Sequence, residues 1–151
     1  MLGDSHASTA GSYNNIAIVY YKQGRLNESL RYLDKVLKTR TLVYGEGHTE
    51  LAGIYNNYAL VYGKKGDAKK ALLYFEKALE IRAKRLGAYH DDTGMVYTNI
   101  GIIHEREGRT QEALRWYRKA LAAYEKSLGA GHPYTIDLAE TIQEMERSGL
   151  S

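Results

Sequence analysis

The sequence predicts an all-α protein built from helical hairpins arranged in series, and three observations carry that prediction. The first is an internal repeat at an interval of 42 residues in a chain of 151. Tyr13-Asn14-Asn15-Ile16-Ala17 returns as Tyr55-Asn56-Asn57-Tyr58-Ala59 and again as Tyr97-Thr98-Asn99-Ile100-Gly101. A fixed period of this size marks an array of supersecondary units. The second is helical spacing of apolar residues within one unit. Tyr55, Tyr58, Ala59 and Tyr62 form an i, i+3, i+4, i+7 stripe, and a second stripe runs through Ala68, Ala71, Leu72, Phe75, Ala78 and Leu79. The third is a glycine between the stripes, Gly24, Gly66 and Gly108, suited to the left-handed residue that ends a helix and reverses the chain. Proline occurs once, and no stretch alternates as a strand would.

The repeats are read as residues 2–43, 44–85 and 86–127, followed by a partial unit at 128–151, all in one domain over 1–151. Three helical hairpins and one terminal helix are expected. Within the central hairpin, Ala59, Ala71 and Ala78 let the two helices approach closely, and Phe75 fills the space between them. Neither helix can bury its stripe alone, so neighbouring hairpins must stack. Glycine also recurs at the junctions, at Gly3, Gly45, Gly87 and Gly129, each followed by a histidine: His6, His48, His90 and His132. The chain opens on Gly3-Asp4-Ser5-His6, which elsewhere lies between two repeats, so its start reads as the interior of a longer array. From Pro133 to Gly149 one more helix is expected. Its Glu140, Gln143 and Glu146 depart from the repeat and give it the polar face of a cap.

Composition narrows the function classes. There is no cysteine, which excludes disulfides, thiolate metal sites and a cysteine nucleophile. No apolar run approaches membrane-spanning length and no signal-peptide pattern opens the chain, so a cytoplasmic location and no membrane partner are expected. Basic and acidic residues are interspersed rather than gathered in a dense basic stripe, which argues against nucleic acid. Lys65, Lys69, Lys70, Lys77 and Lys84 read as a solvated convex face. Charge still varies along the chain, from a basic first half to an acidic final segment. The histidine ladder suggests metal, but equivalent atoms of stacked hairpins lie about 10 Å apart, the distance between packed helices. Zinc needs its ligands within roughly 2 Å of the ion. The histidines are therefore assigned to the turns and first helical residues of their own units. No nucleophile elbow, phosphate loop or metal-ligand helix is present, so neither an enzyme nor a cofactor is expected. The 14 tyrosines include Tyr13, Tyr20, Tyr55, Tyr62 and Tyr97 on the inward stripe, where they serve packing and send their hydroxyls to an edge.

The hairpin unit, with its glycine hinge, alanines and aromatic fillers, resembles a tetratricopeptide repeat, a family whose usual period is 34 residues. The junction Leu86-Gly87-Ala88-Tyr89-His90, with its counterpart Leu128-Gly129-Ala130-Gly131-His132, and the Tyr-Asn-Asn run are most similar to the 42-residue repeats of kinesin light chains and nephrocystin-type proteins. The resemblance covers nearly the whole chain. It implies a right-handed superhelical solenoid whose first helices line a concave groove that binds peptides, acidic and aromatic-containing ones in kinesin light chains.

With Tyr13, Ile16, Ala17 and Tyr20 inward, the neighbouring stripe Asn14, Ile18, Tyr21 and Lys22 faces that groove. Its counterparts are Asn56, Leu60, Gly63 and Lys64, then Thr98, Ile102, Glu105 and Arg106. The amides can donate to and accept from a peptide backbone. Lys22, Lys64 and Arg106 attract carboxylates, Arg106 in a bidentate manner. The resemblance matches Asn14 and Asn56 to the family's asparagine position and Lys64 to a basic one, while Thr98 and Glu105 depart from it. The expected function is a protein-interaction scaffold that binds an extended acidic segment of a partner through Asn14, Tyr21, Lys22, Asn56, Lys64, Thr98 and Arg106. Two other readings stay open: an architectural, self-associating segment that joins head to tail through an uncovered end at Leu2, Tyr13, Ile16 and Tyr20, and sensor repeats of a larger regulatory nucleotide-dependent protein.

Overall fold

The computed structural model describes residues 2–149, with side chains from residue 10 onward. Among the described residues there are seven helices and no strand. They are α1 (Leu2–Lys22), α2 (Leu26–Tyr44), α3 (Thr49–Lys65), α4 (Ala68–Leu86), α5 (Asp91–Arg106), α6 (Thr110–Ser127) and α7 (Pro133–Gly149). The chain forms two compact units, Met1–Ile81 and Arg82–Ser151, divided within α4. Gly24, Gly66 and Gly108 all take positive φ, as the reversal of each hairpin requires. At the start of the chain the outcome differs from expectation. Gly3–His6 lies inside α1, not in a turn, and the side chains of Leu2, Asp4 and His6 fall outside the described residues.

In the first unit, α2 packs against both α1 and α3. The close approach of α1 and α2 is built on Ala17, 1% exposed, whose carbonyl accepts a 2.7 Å hydrogen bond from the buried Ser29 hydroxyl. Ser29 occupies the place of Ala71 and Ala113 in the later repeats. A buried hydroxyl is tolerated there because that acceptor satisfies it. Leu33, Val36, Leu51 and Val61 fill the core around it, and Ala59, Ala71, Phe75 and Ala78 are buried as the stripes required. Tyr58, on α3, donates a short hydrogen bond to Asp34 of α2, and burial together with that bond pushes the phenol well above its ordinary pKa. Ile16 belongs to the same stripe yet is 36% exposed, with Val19 at 51%. Their counterparts Tyr58 and Val61 are buried against this unit's core, whereas no described helix covers the corresponding face of α1.

The tyrosine stripes pack on one aromatic residue from the second helix of each hairpin. In the first, Tyr32 takes Tyr13 and Tyr20, each at 5.6 Å between ring centroids. In the second, Tyr74 takes Tyr55, Tyr58 and Tyr62 at 6.2, 4.9 and 5.6 Å. In the third, Trp116 takes Tyr97 at 5.8 Å. A lysine three residues later covers each platform: Lys35 over Tyr32, Lys77 over Tyr74, Lys119 over Trp116. Lys70 likewise sits over Tyr62. Lys70 and Lys77 are exposed as expected, but they are ring contacts rather than purely solvated charges.

The second unit pairs α5 with α6 and α6 with α7. Here the residues at the helix crossing are glycines. Gly94 and Gly101 face the rings of Tyr124 and Tyr117, and an added Cβ would come within 2.8 and 2.5 Å of them. Glycine at these two sites is a packing requirement. Thr93, fully buried, donates to the Gly87 carbonyl at 2.8 Å and ties the turn to the start of α5. Leu138 and Ile142 of α7 are buried while Glu140, Gln143 and Glu146 are exposed, so α7 has the expected polar outer face. Glu146 is joined to Arg118 of α6 at 2.6 Å.

Candidate functional site

The face of the first unit that carries the predicted residues is formed by α1 and α3. Two cross-helix contacts hold it together. Asn57 donates from its amide to Asn14 Oδ1 at 3.2 Å, and Lys64 donates to the Tyr21 carbonyl at 3.1 Å. The Lys64 ammonium also lies 4.6 Å from the centroid of the Tyr21 ring. A carbonyl in the last turn of α1 thus gains a cation, the favourable sign at a helix C-terminus. Between these contacts Ala17, Ile18, Tyr21, Asn57 and Leu60 line a narrow apolar cleft of about 20 Å³, room for about one water-sized occupant. Lys22 is exposed at the end of α1. Asn56 sits in the same row, with its Oδ1 buried and without a hydrogen-bond partner.

The counterpart face of the second unit is used differently. Thr98 donates to the Gly94 carbonyl at 3.0 Å and lies 3.3 Å from the Tyr124 hydroxyl. Glu105 accepts a 2.6 Å hydrogen bond from the Tyr117 hydroxyl, and burial with this contact pushes the Tyr117 phenol strongly up. The acidic group that departed from the pattern is therefore engaged by α6. Arg106 remains exposed. The structure brings together Asn14, Tyr21 and Lys64 of the predicted set. Thr98 is engaged with Tyr124, and Arg106 stands in the last turn of α5.

Two sets of residues escaped the sequence reading, although the same interval would have shown them. Asn57, beside the groove-assigned Asn56, is the donor that fixes Asn14. Arg40 reaches from α2 to Glu50 in the first turn of α3 at 2.5 Å, and Arg82 reaches from α4 to the Asp92 carbonyl of α5 at 3.4 Å. Both are second-helix residues clamping the first turn of the next helix. In the third repeat the same positions hold Tyr124 and Tyr134, whose rings lie 6.2 Å apart.

Three of the four ladder histidines act as helix caps, as their placement suggested. His48, His90 and His132 each accept through Nδ1 from the backbone N–H two residues on, at 3.2, 3.1 and 3.2 Å. A cap of this kind satisfies one of the free donors at a helix start. His90, Asp91 and Asp92 come close enough to hold a cation. However, the His90 Nδ1 lone pair is spent on the Asp92 amide, and Asp91 accepts from Ser127 at 3.0 Å. Among the described residues no helix is long and apolar enough to cross a membrane.

Helical hairpins joined by left-handed glycines, with aromatic residues of one helix filling against small residues of the next, define an all-α helical-repeat protein. The family model of the tetratricopeptide repeat matches residues 8–84, 50–126 and 92–142. The chain belongs to the tetratricopeptide repeat family. Among solved structures it is similar to a putative kinesin light chain with nearly identical repeats from Podosopora anserina. The two are 20% identical over 95% of this chain and 68% of that one, with a TM-score of 0.79. It is also similar to BtubC (BKLC) from P. vanneervenii, at 22% identity and a TM-score of 0.78. The match takes in 91% of this chain but only 56% of that protein, so the chain spans about half its length. A third similar structure is the N-terminal domain of stress-induced protein-1 from C. elegans, with 18% identity, a TM-score of 0.69, and coverage of 93% and 97%. No curated protein sequence matches. The fold is thus the expected all-α tetratricopeptide type. Repeats of this family mediate protein–protein interaction and are typically non-enzymatic scaffolds.

Proposed function

We propose that the α1–α3 face binds an extended, acidic segment of a protein partner. The observation that carries this reading is the cross-helix pair of contacts Asn57–Asn14 and Lys64–Tyr21, flanking an apolar cleft. Amides that fix one another retain further donor and acceptor capacity for a peptide backbone. An ammonium has three donors, so Lys64, held by one carbonyl, is positioned and still able to bind a carboxylate. Lys22 adds a second cation at the end of α1. Affinity would come from backbone contacts and specificity from charge. Binding of a short acidic peptide with one aromatic residue, measured by fluorescence anisotropy, should be micromolar and weaken with salt, since exposed charges are screened beyond about 8 Å at physiological ionic strength. Lys22→Glu with Lys64→Glu should abolish it at unchanged helix content. Equal binding of the acidic peptide by this double variant and the parent would sink the assignment.

A second reading rests on the exposure of Ile16 and Val19, whose counterparts in the next hairpin are buried. An exposed apolar stripe on a helix is a docking surface for another apolar face. A second copy offering its acidic α7 to the basic first half would associate head to tail. Sedimentation at two salt concentrations tests this: salt-sensitive association supports it, and a monomer at every concentration removes it.

A further inference from the structure

The outer rows of α2 and α7 carry opposite charges at the same spacing. On α2 the row is Glu28, Arg31, Lys35, Lys38 and Leu42. On α7, taken from its C-terminal end, the row is Arg147, Glu144, Glu140, Asp137 and Pro133, with the same intervals of three and four. Such intervals keep a row on one side of a helix. Laid antiparallel, the rows set Arg147 against Glu28, Glu144 against Arg31, Glu140 against Lys35 and Asp137 against Lys38, and Leu42 meets Pro133. We propose that α2 of one copy of the chain docks α7 of a second copy in this register. The proposal rests on the head-to-tail association reading and assigns its two faces.

Both faces are open to a partner. Arg31, Lys35, Lys38, Asp137, Glu140 and Glu144 are all exposed, and none of the six joins an ion pair among the described residues. Lys35 lies over the Tyr13 and Tyr32 rings, a contact that steadies its ammonium and spends none of its N–H groups on an acceptor. Glu28 is already paired with Arg25, so the three central pairs carry the contact. Exposed ion pairs contribute little singly, and an apolar end reinforces them. Leu42 is 80% exposed where the later repeats have Lys84 and Lys126, so packing within the hairpin does not call for an apolar residue there. Val43 is exposed beside it, and the first turn of α7 exposes Tyr134 and Ile136 in turn. The other second helices fit less well. On α4, Lys70 would face Arg147 and Glu80 would face Asp137, both like charges. On α6, Ala122 and Lys126 replace Lys38 and Leu42.

The test is a charge exchange on the full chain, read by sedimentation velocity over a range of concentrations. The parent should associate at low salt and dissociate at high salt. One variant, Arg31→Glu with Lys38→Glu, and another, Asp137→Lys with Glu144→Lys, should each be monomeric alone at unchanged helix content. Mixed together at low salt they should associate again, because each altered face then meets an opposite charge. A misfolded variant could not be rescued in this way. A parent that stays monomeric at low salt, or a mixture that fails to associate, would overturn the proposal. If the α7 variant is monomeric but the α2 variant associates like the parent, the α2 assignment fails and the head-to-tail reading stands on another basic face. If both variants are monomeric and rescue each other while Ile16→Ser with Val19→Ser associates like the parent, the α2–α7 contact stands and docking on Ile16 and Val19 fails.

Discussion

The Tyr117 ring lies directly over Gly101, so close that a single added carbon on Gly101 would sit 2.5 Å from it. In the first two repeats the same pair of positions holds Ala17 with Leu33 and Ala59 with Phe75. In the third repeat the small residue loses its last carbon where the filler is largest, which makes room for the ring.

Gly101→Ala should therefore destabilise the protein, although alanine is the better helix former. The helical gain is about 1 kcal/mol, while overpacking a buried ring costs about 1–3 kcal/mol. Combining it with Tyr117→Leu, the pairing of the first repeat, should recover part of the loss. Denaturant midpoints of the parent, both single variants and the double variant measure the coupling; additive effects would refute the contact.

The covering lysines make a second test. Lys77, over both Tyr55 and Tyr74, should cost about 0.5–1 kcal/mol on replacement by alanine, the range for an exposed cation–π contact. Lys69, exposed on the same helix, should be nearly neutral. Thermal melts showing the two variants alike would return Lys77 to the class of solvated charges.

Arg40 and Glu50 form the clamp that the third repeat abandons. Arg40→Glu should destabilise the first unit, and Arg40→Glu with Glu50→Arg should recover part of that loss. The recoverable share is about 0.5–1 kcal/mol, since Glu50 is half exposed. A double-mutant cycle with no coupling would show that Arg40 acts only through its packed stem.

At acid pH the sensitive group is His104. Partial burial and then the neighbouring Arg109, which donates to its Nδ1 at 2.9 Å, hold its pKa below the ordinary value of 6.5. The unfolded chain then binds a proton that the folded chain refuses, so stability is present above pH 6.5 and declines as pH falls below it. His104→Tyr, which restores the residue of Tyr20 and Tyr62, should flatten that decline. Unfolding curves from pH 7.5 to 5 with equal slopes for both proteins would exclude His104 as the cause.

At alkaline pH the buried phenols act in the opposite sense. Tyr58, Tyr117 and Tyr124 are raised above the ordinary tyrosine value of 10, chiefly by burial. Unfolding releases their protons, so stability should fall as pH rises above 10. Tyr58→Phe should reduce the steepness of that fall, and the ultraviolet titration of tyrosinate should lose a component that appears only on unfolding.

The repeat, the hairpins, the glycine turns, the histidine caps and the polar outer face of α7 were all legible in the chain. Each depends on residues within a turn or two of one another: the spacing of apolar side chains, a left-handed backbone, an imidazole two residues from the amide it accepts from. The candidate site was legible only as a row of positions. Whether a side chain in that row is free was decided by tertiary structure, because its competitor comes from another helix. Lys64 leans on Tyr21, Asn14 takes the amide of Asn57, Thr98 meets Tyr124, and Glu105 is held by Tyr117. Equal positions in a repeat share a backbone, but each meets different neighbours. Volume and hydrogen-bonding capacity balance only where those neighbours are packed together.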